Sequence, residues 1–300
     1  MEPTTTSEDA DATDVLPTTE SPSPSNGSTT KSTNTSLGSL LNYLKTEITL
    51  EHADIPIIAC CLVSGLCDSS AYNAWSCFVS MQTGKASSSI HIDKLLLTQG
   101  QGNTIFLALG ASGQPTSKPW GWLKSLVSIS FFLLGCFIFS NTRLIRPKAR
   151  GTLTTSFILQ SLCIIIAAIL VQTHVVPEPM GMLVTDDIDL LELIPLAFLA
   201  FQSGGQIVTS RILGFNEVPT TVLTSVYCDI ASDPDILKKD NVKRNRRCAA
   251  VLFILIGGIA GGWISRSSAG LSASLWLAAA IKLIIAVGWS LWKPKQAIQL

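Results

Sequence analysis

Apolar residues gather into long runs separated by short polar segments, and six of these runs are long enough to cross a bilayer as helices. A helix rises ~1.5 Å per residue, so about 20 apolar residues cover the ~30 Å hydrocarbon core. The six predicted spans are Ile55–Met81, Trp122–Ser140, Thr152–Gln172, Leu190–Val208, Ala249–Ile264 and Leu271–Trp292. Two shorter apolar pieces, Asn103–Ala111 and Pro219–Ile230, are broken or re-entrant candidates. The pattern predicts an all-α, polytopic membrane protein with about six transmembrane helices.

Charged residues fall between the apolar runs, and their distribution predicts the topology. Basic clusters follow the second span at 143–150, precede the fifth at 238–247 and recur at Lys293 and Lys295, whereas the loop 173–189 is acidic. Cytoplasmic loops carry the excess of Lys and Arg. Placing the three basic segments inside puts both termini in the cytosol, provided that neither short piece crosses. Seven or eight spans are the alternatives.

The two halves of the chain repeat one another in outline, with repeat one at about 55–172 and repeat two at about 190–292. Three motifs recur in order, and the pairs are 78–84 with 199–204, 103–106 with 220–223, and 131–135 with 253–257. Three spans per repeat is an odd number, so the halves would have inverted topology. Inverted repeats with interrupted helices are typical of many secondary transporters. Chance similarity between apolar segments is the alternative.

Composition agrees with a membrane protein, since 47% of the 300 residues are hydrophobic, 14% are charged and the mean hydropathy is +0.41. Residues 1–46 differ, because they are rich in Ser, Thr, Pro, Asp and Glu. We predict that they form a disordered cytosolic tail ahead of a helical membrane domain at 47–296. The formal net charge is zero, which gives no indication of nucleic-acid binding.

The sequence shows no constellation typical of an enzyme. Its eight cysteines lie in or beside apolar runs without a CxxC pair, so we expect free packed thiols and neither a disulfide framework nor a metal site. The three histidines are scattered in loops. No hydrolase, metalloprotease or nucleotide-binding motif occurs. We therefore predict no catalytic residues, no cofactor and no enzyme activity.

Asp68 is the only formal charge in the first predicted span. An ionisable side chain inside a membrane is costly, so it usually faces a bundle interior or a wet cavity. Asp68, with the nearby Asn73, is therefore a candidate proton, cation or solute site. The alternative is a buried carboxylate that hydrogen-bonds Asn73, Tyr72 or another helix. Lys282, a base deep in the last span, is expected either to pair with Asp68 or to snorkel to an interface.

Polar residues beside glycines mark two further candidate positions. They are Gln82 and Thr83 before Gly84, and Gln202, Ser203 and Gln206 around Gly204 and Gly205. We interpret both as broken helix ends, whose free backbone groups can bind a solute. Helix capping is the alternative. With Asp68, Asn73 and Lys282 they complete the predicted substrate- or ion-binding set.

These features favour a secondary transporter or permease that moves a small solute across the lipid bilayer, with Asp68 coupling transport to protons. A non-transporting membrane scaffold or accessory protein is the alternative. A sheltered Asp68 and paired broken helices favour transport. A lipid-facing Asp68, or a bundle without a cavity, would favour the accessory role.

Four segments are distinctive as a set, namely Gly65–Asp68, Phe78–Gly84, Asn103–Gly110 and Phe201–Gly204. On these segments the chain resembles the YoaK-like family of membrane proteins, catalogued as a domain of unknown function, over about residues 50–292. The resemblance implies a multi-pass membrane protein and no particular mechanism.

One departure from that family pattern is the separation of Gly84 from Asn103, since the family's QTGNT motif joins these residues directly. The intervening residues 85–102 number 18, or 54 nucleotides, which keeps the reading frame. Codons available for Gly84-Lys85 contain a GTAAG splice donor, and those for 97–98 and 101–102 permit a CTAAC branch point and an acceptor AG. We hypothesise that 85–102 is a retained short intron. A genuine insertion that forms a solvent loop is the alternative.

Overall fold

The computed structural model describes residues 38–39, 41–82, 102–114, 120–176, 190–268 and 270–295. Within these ranges the chain is almost entirely helical, as the hydrophobic pattern predicts. The long helices are α1 (Asp54–Trp75), α3 (Gly121–Ser140), α4 (Arg150–Gln172), α5 (Leu193–Leu213), α7 (Val242–Arg266) and α8 (Gly270–Leu291). The short helices are α2 (Asn103–Ala111) and α6 (Leu223–Ala231).

Each of these six long helices is long and apolar enough to cross a membrane, which confirms the predicted polytopic fold. Large apolar side chains also cover the outside of the bundle. Leu133 and Phe137 on α3, and Leu255 and Trp263 on α7, are among the exposed ones. Helices that are apolar on every side are the ones that proteins place in a membrane or a large core.

The first span differs from its prediction at the C-terminal end. We expected helix as far as Met81, but α1 ends at Trp75, and Ser76 adopts a left-handed conformation with φ 54°. Residues 76–82 continue as irregular backbone, in which Val79 and Ser80 are buried. We call residues 76–82 the irregular segment. It interrupts the first half of the bundle within an apolar run.

Helices of the two halves pack against each other in exchanged pairs. The most extensive contacts join α1 to α7, α3 to α5 and α4 to α8. Exchanging each long helix for its counterpart in the other half (α1 with α5, α3 with α7, α4 with α8) converts the first pair into the second and leaves the third unchanged. The packing therefore relates the two halves by a pseudo-two-fold pattern of helix pairs.

Glycines occupy matching points of close approach in two of these pairs. A Cβ atom on Gly65 of α1 would lie 2.3 Å from the carbonyl oxygen of Ile254, and one on Gly204 of α5 would lie 2.3 Å from that of Phe132. Small residues permit such close backbone packing between membrane helices. Gly65 and Gly204 each lie 11 residues after the first residue of their helix, so they are equivalent in the repeat.

This equivalence corrects the register that the sequence motifs suggested. Gln82 lies beyond the end of α1, whereas Gln202 lies inside α5, so the first predicted motif pairing is wrong. The starts of α2 and α6 are 120 residues apart, which shifts the second pairing by three residues. The third pairing holds, because Gly135 and Gly257 make equivalent close contacts with a partner backbone.

The three basic segments lie at one end of the bundle, as the predicted topology requires. Backbone hydrogen bonds join residues 47–49 to Lys148 and to Lys293. Arg246, near the start of α7, forms an ion pair with Asp54 at 2.9 Å. These contacts gather the start of α1, the start of α4, the start of α7 and the end of α8.

The irregular segment and residues 214–222, between α5 and α6, lie at opposite ends of the bundle. Val79 of the irregular segment belongs to an apolar cluster with Val171, at the end of α4, and Leu271, at the start of α8. Val218, between α5 and α6, belongs to a second cluster with Trp289, near the end of α8. Opposite placement of equivalent pieces is the arrangement expected of inverted repeats.

Candidate functional site

Asp68 lies past the middle of α1, with 4% of its surface exposed. Its Oδ1 accepts the backbone N–H groups of Val79, at 2.9 Å, and Ser80, at 2.8 Å, and its Oδ2 accepts the Ser80 hydroxyl. Irregular backbone at membrane depth needs partners for its N–H groups, and Asp68 provides them after the break in α1. The carboxylate therefore faces the bundle and not lipid.

Asn103, the first residue of α2, holds the irregular segment from the other side and is completely buried. Its Oδ1 accepts the N–H of Phe78 at 3.2 Å, and its Nδ2 donates to the Phe78 carbonyl at 2.6 Å. The same Nδ2 donates to Gln82 Oε1 at 2.9 Å, so the predicted residue Gln82 lies in this network. Ser128 of α3 donates to the Phe78 carbonyl at 2.7 Å. The predicted residue Thr83 lies outside the described residues.

Sequence reasoning did not identify Asn103, Ser80 or Ser128 as functional residues. Asn103 left a signal, since an amide that opens a short apolar piece is well placed to bond backbone that a neighbouring helix has released. Ser80 and Ser128 left none, because a serine in an apolar run commonly bonds the backbone of its own helix.

An open pocket of about 380 Å³ lies between α1 and α7 at the surface of the bundle. It is lined by Asp68, Ser69, Tyr72 and Asn73 of α1, by Phe78, and by Gly258, Ile259, Gly262, Trp263 and Arg266 of α7. A Cβ atom on Gly258 or on Gly262 would project into open space, so the missing side chains at these glycines make the room. Its size is within the range of small-molecule sites. The predicted residues Asp68 and Asn73 therefore belong to one pocket.

Lys282 is completely buried in α8, and its surroundings differ from both expectations. Its Nζ donates to Gln160 Oε1 at 2.6 Å and lies 5.1 Å from the centre of the Phe157 ring. Neither Lys282 nor Asp68 takes part in an ion pair among the described residues. The expected pairing with Asp68 and the expected snorkelling are therefore both wrong.

The glutamines of the second half lie inside α5, not at a broken helix end as we expected. Gln206 Nε2 donates to Ser64 Oγ at 2.8 Å, and Gln202 Nε2 donates to Ser203 Oγ at 2.9 Å. The Oε1 atoms of both glutamines are buried, and neither has a hydrogen-bond partner within the described parts of the chain. Such atoms are uncommon, and each calls for a structural or functional reason.

The structure thus separates the predicted residues into distinct sets. Asp68 and Asn73 line the α1–α7 pocket, Gln82 bonds Asn103, and the α5 glutamines and Lys282 lie within the bundle. No three His, Cys, Asp or Glu side chains come close enough to hold a metal ion within the parts of the chain that the structure describes.

Comparison with known proteins places the chain in a family. A sequence model described as a protein of unknown function, DUF1275, matches residues 57–91 and 86–288. The first matched segment ends, and the second begins, within residues 85–102, the stretch that separates Gly84 from Asn103. No curated protein matches the chain. No solved structure matches it. The two matched segments cover most of the chain, which therefore belongs to the DUF1275 family.

Proposed function

We propose that the protein is a secondary transporter of a small solute. The observation that carries this proposal is the exchanged packing of two equivalent halves. Each half has non-helical chain after its first long helix, 76–82 or 214–222, at its own end of the bundle. Carriers built from inverted repeats work by rocking one set of helices against the other around a shared site. The symmetric glycine contacts at Gly65 and Gly204 are suited to such movement, since they join helices through small, smooth surfaces.

The irregular segment is the element that would open and close the end of the bundle near Asp68. It is tied to α1 and α2 by side-chain hydrogen bonds and not by a continuous helix, so it can be released without unfolding either helix. Asp68 accepts three of these bonds, which are strongest when its carboxylate is ionised. Protonation would weaken them, because a charged acceptor forms stronger hydrogen bonds than a neutral one. On this proposal Asp68 couples proton binding to the release of the segment.

The α1–α7 pocket supplies the space that a carrier needs for its solute. It meets the irregular segment at Phe78 and Asp68, so a bound solute would contact the element that moves. A scaffold or accessory protein has no need of such a connection. The positive-inside tendency further supports placing both termini and the three basic segments in the cytosol. Within DUF1275, the motifs at 65–68 and 78–84 support a place among the YoaK-like proteins.

Flux through liposomes tests the proposal. The purified full-length chain is reconstituted and screened with radiolabelled amino acids, sugars, carboxylates, nucleosides and polyamines, with and without an imposed pH gradient. Saturable uptake above that of protein-free liposomes, enhanced by a pH gradient, is the expected result. Absence of saturable flux for every class, from protein that remains folded, would favour the accessory role.

A further inference from the structure

The α1–α7 pocket has charges of opposite sign at two depths. A Cβ atom on Gly261 would lie 2.2 Å from Ser69 Oγ, which places Gly261 of α7 level with the Asp68 region of α1. Arg266 is five residues further along α7, or ~7.5 Å at the rise of an α-helix. The Asp68 carboxylate is therefore the inner charge, and the exposed Arg266 guanidinium is at the outer end.

Asp68 supplies a carboxylate to the lining of the pocket. Its oxygens accept three hydrogen bonds from Val79 and Ser80, and the Met81 N–H also acts on this carboxylate. Among the described residues that line the pocket, Arg266 is the one basic side chain. A ligand amine in the pocket would add a charge-assisted hydrogen bond to this carboxylate.

Aromatic side chains surround the same space. Tyr72 and Phe78 stack with their ring centres 4.8 Å apart, and both line the pocket. Trp263 lies on the opposite wall with 74% of its surface exposed. Aromatic faces attract ammonium groups and also accept apolar parts of a ligand. The lining therefore suits an organic amine better than a metal ion.

Arg266 indicates a second charge on the ligand. Among the described residues no ion pair involves Arg266. A guanidinium at the mouth would repel a simple amine, whereas it would bind a carboxylate in two-pronged fashion. We propose that the α1–α7 pocket binds a small free zwitterion of the amino-acid type, with its ammonium group at Asp68 and its carboxylate at Arg266. This inference rests on the proposed transport function, for which it names the solute class.

The order of the charges disfavours a phospholipid as the occupant. In a zwitterionic lipid the phosphate lies nearer the hydrocarbon than the amine does. The pocket has the reverse order, with its negative group inside and its positive group at the mouth. A solute that enters from the aqueous end with its amine leading would match both charges.

Equilibrium binding tests the inference without requiring flux. The probes for the full-length protein in detergent are radiolabelled glycine, leucine, phenylalanine and glycine betaine. Competitors for leucine are isoamylamine, which lacks the carboxylate, and 4-methylpentanoate, which lacks the amine. We expect saturable binding of at least one zwitterion and at least tenfold weaker competition by both single-charge analogues. Failure of all four zwitterions to bind, or equal competition by isoamylamine, overturns the proposal.

Three variants locate the binding. Gly262→Leu fills the pocket and is expected to abolish zwitterion binding, whereas Gly288→Leu, at a position in α8 that also has open space, is the matched control and should bind normally. Arg266→Gln should weaken zwitterion binding roughly tenfold, which is the usual effect of losing a hydrogen bond to a charged group, and should not weaken isoamylamine binding. Thermal unfolding checks that each variant is folded. Normal binding by folded Gly262→Leu removes the pocket from the assignment.

Two outcomes separate this inference from the transport proposal. Zwitterion binding that Gly262→Leu abolishes, without flux in liposomes, supports the pocket and contradicts the carrier. Flux of a solute that Gly262→Leu leaves unchanged supports the carrier and contradicts the pocket. Repeating the leucine-binding measurement in phosphatidylglycerol liposomes with and without phosphatidylethanolamine tests whether a lipid headgroup occupies the pocket. Loss of leucine binding on adding phosphatidylethanolamine would assign the pocket to a headgroup and overturn the free-solute proposal.

Discussion

The Asp68 carboxylate binds Ser80 through both of its oxygens, since Oδ1 accepts the Ser80 N–H at 2.8 Å and Oδ2 accepts the Ser80 hydroxyl. The two residues lie on either side of the break at Ser76. Asp68 therefore acts across the end of its own helix, where it replaces the hydrogen bonds that a continuing helix would have made. This arrangement explains why an acidic residue is stable in an apolar span although none of the described residues forms an ion pair with it.

Substitution of Asp68 separates its structural role from its proposed coupling role. Asp68→Asn keeps an oxygen for the N–H groups of Val79 and Ser80 and can donate to the Ser80 hydroxyl, so we expect a folded protein. Asp68→Leu leaves two buried N–H groups without a partner, at about 1–3 kcal/mol each, and should lower the unfolding temperature markedly. Thermal unfolding of both variants tests this difference.

The coupling role predicts a specific change in flux. If proton binding at Asp68 releases the irregular segment, Asp68→Asn should transport without responding to a pH gradient. The measurement is solute flux in liposomes across a pH series, with wild type as reference. A folded Asp68→Asn whose flux and pH response equal those of wild type would leave Asp68 with a structural role alone.

Close packing of the two halves predicts matched effects at Gly65 and Gly204. Alanine at either position places a Cβ 2.3 Å from a carbonyl oxygen of the partner helix, so the helices must separate. We expect Gly65→Ala and Gly204→Ala each to lower the unfolding temperature. Gly258→Ala and Gly288→Ala are controls, because their Cβ atoms meet open space and alanine favours helix by up to ~1 kcal/mol. Equal stability of all four variants would contradict the close contacts.

The buried hydrogen bond between Lys282 and Gln160 predicts that substitution of Gln160 restores the stability lost on substitution of Lys282. Lys282→Met removes the donor from the buried Gln160 Oε1 and should destabilise by about 1–3 kcal/mol. Replacing a buried polar pair by apolar residues of similar size is often neutral or stabilising, so Lys282→Met/Gln160→Leu should recover the unfolding temperature. We expect solute flux to be lost both in Lys282→Met and in the double variant. A buried lysine is costly, and this cost indicates that Lys282 has a role in transport. Normal flux would assign Lys282 to packing.

The topology predicts where introduced cysteines react. Arg146→Cys and Lys243→Cys should be labelled by an impermeant maleimide from one side of sealed vesicles, and His174→Cys from the other. The prediction follows from the position of the basic segments at one end of the bundle and from the length of α4, which separates Arg146 from His174. Labelling of Arg146→Cys and Lys243→Cys from opposite sides would contradict the six-span arrangement.

The sequence predicted the positions of the long apolar helices, but it did not predict where α1 ends. Long apolar runs identify helices that cross a membrane because lipid imposes length and hydrophobicity on all of them. The end of α1 cannot be predicted from hydrophobicity, since Cys77, Phe78 and Val79 are as apolar as the helix before them. Their position depends on hydrogen bonds with Asp68 and Asn103, which are contacts that no local pattern encodes.

At the α5 glutamines the sequence predicted a helix end where the structure has a continuous helix. Glycines beside Gln202 and Gln206 suggested a helix end, because glycine weakens a helix in water. In the structure Gly204 meets the backbone of α3, and a Cβ on Gly205 would lie 2.6 Å from the Phe139 ring, so both glycines serve helix packing. The α1–α7 pocket was equally hidden, since Gly258 and Gly262 look like the packing residues Gly257 and Gly261. Only the neighbouring helix distinguishes a glycine that packs from one that leaves space.

The last prediction concerns the extra stretch 85–102, which lies outside the described residues except for Gly102. The chain on either side of it is joined directly, because Thr104 donates both its N–H, at 3.1 Å, and its hydroxyl, at 2.7 Å, to the Gln82 carbonyl. If 85–102 is removed, Thr104 becomes the fourth residue after Gln82, and the N–H bond becomes that of a single helical turn. The two residues that remain between Gln82 and Asn103 are therefore enough to connect the irregular segment to α2.

We accordingly expect a deletion of 85–102 to fold with an unfolding temperature no lower than that of the full chain. A shorter connection also lowers the entropic cost of closing the loop. This favours the folded state by a few tenths of a kcal/mol or more. Asn103→Ala in the shortened protein is the control, since it should remain destabilising if the same network forms. Sequencing of the transcript tests the intron hypothesis separately. A spliced message that contains all codons for 85–102 would identify the stretch as a genuine insertion, and misfolding of the deletion variant would show that the fold requires it.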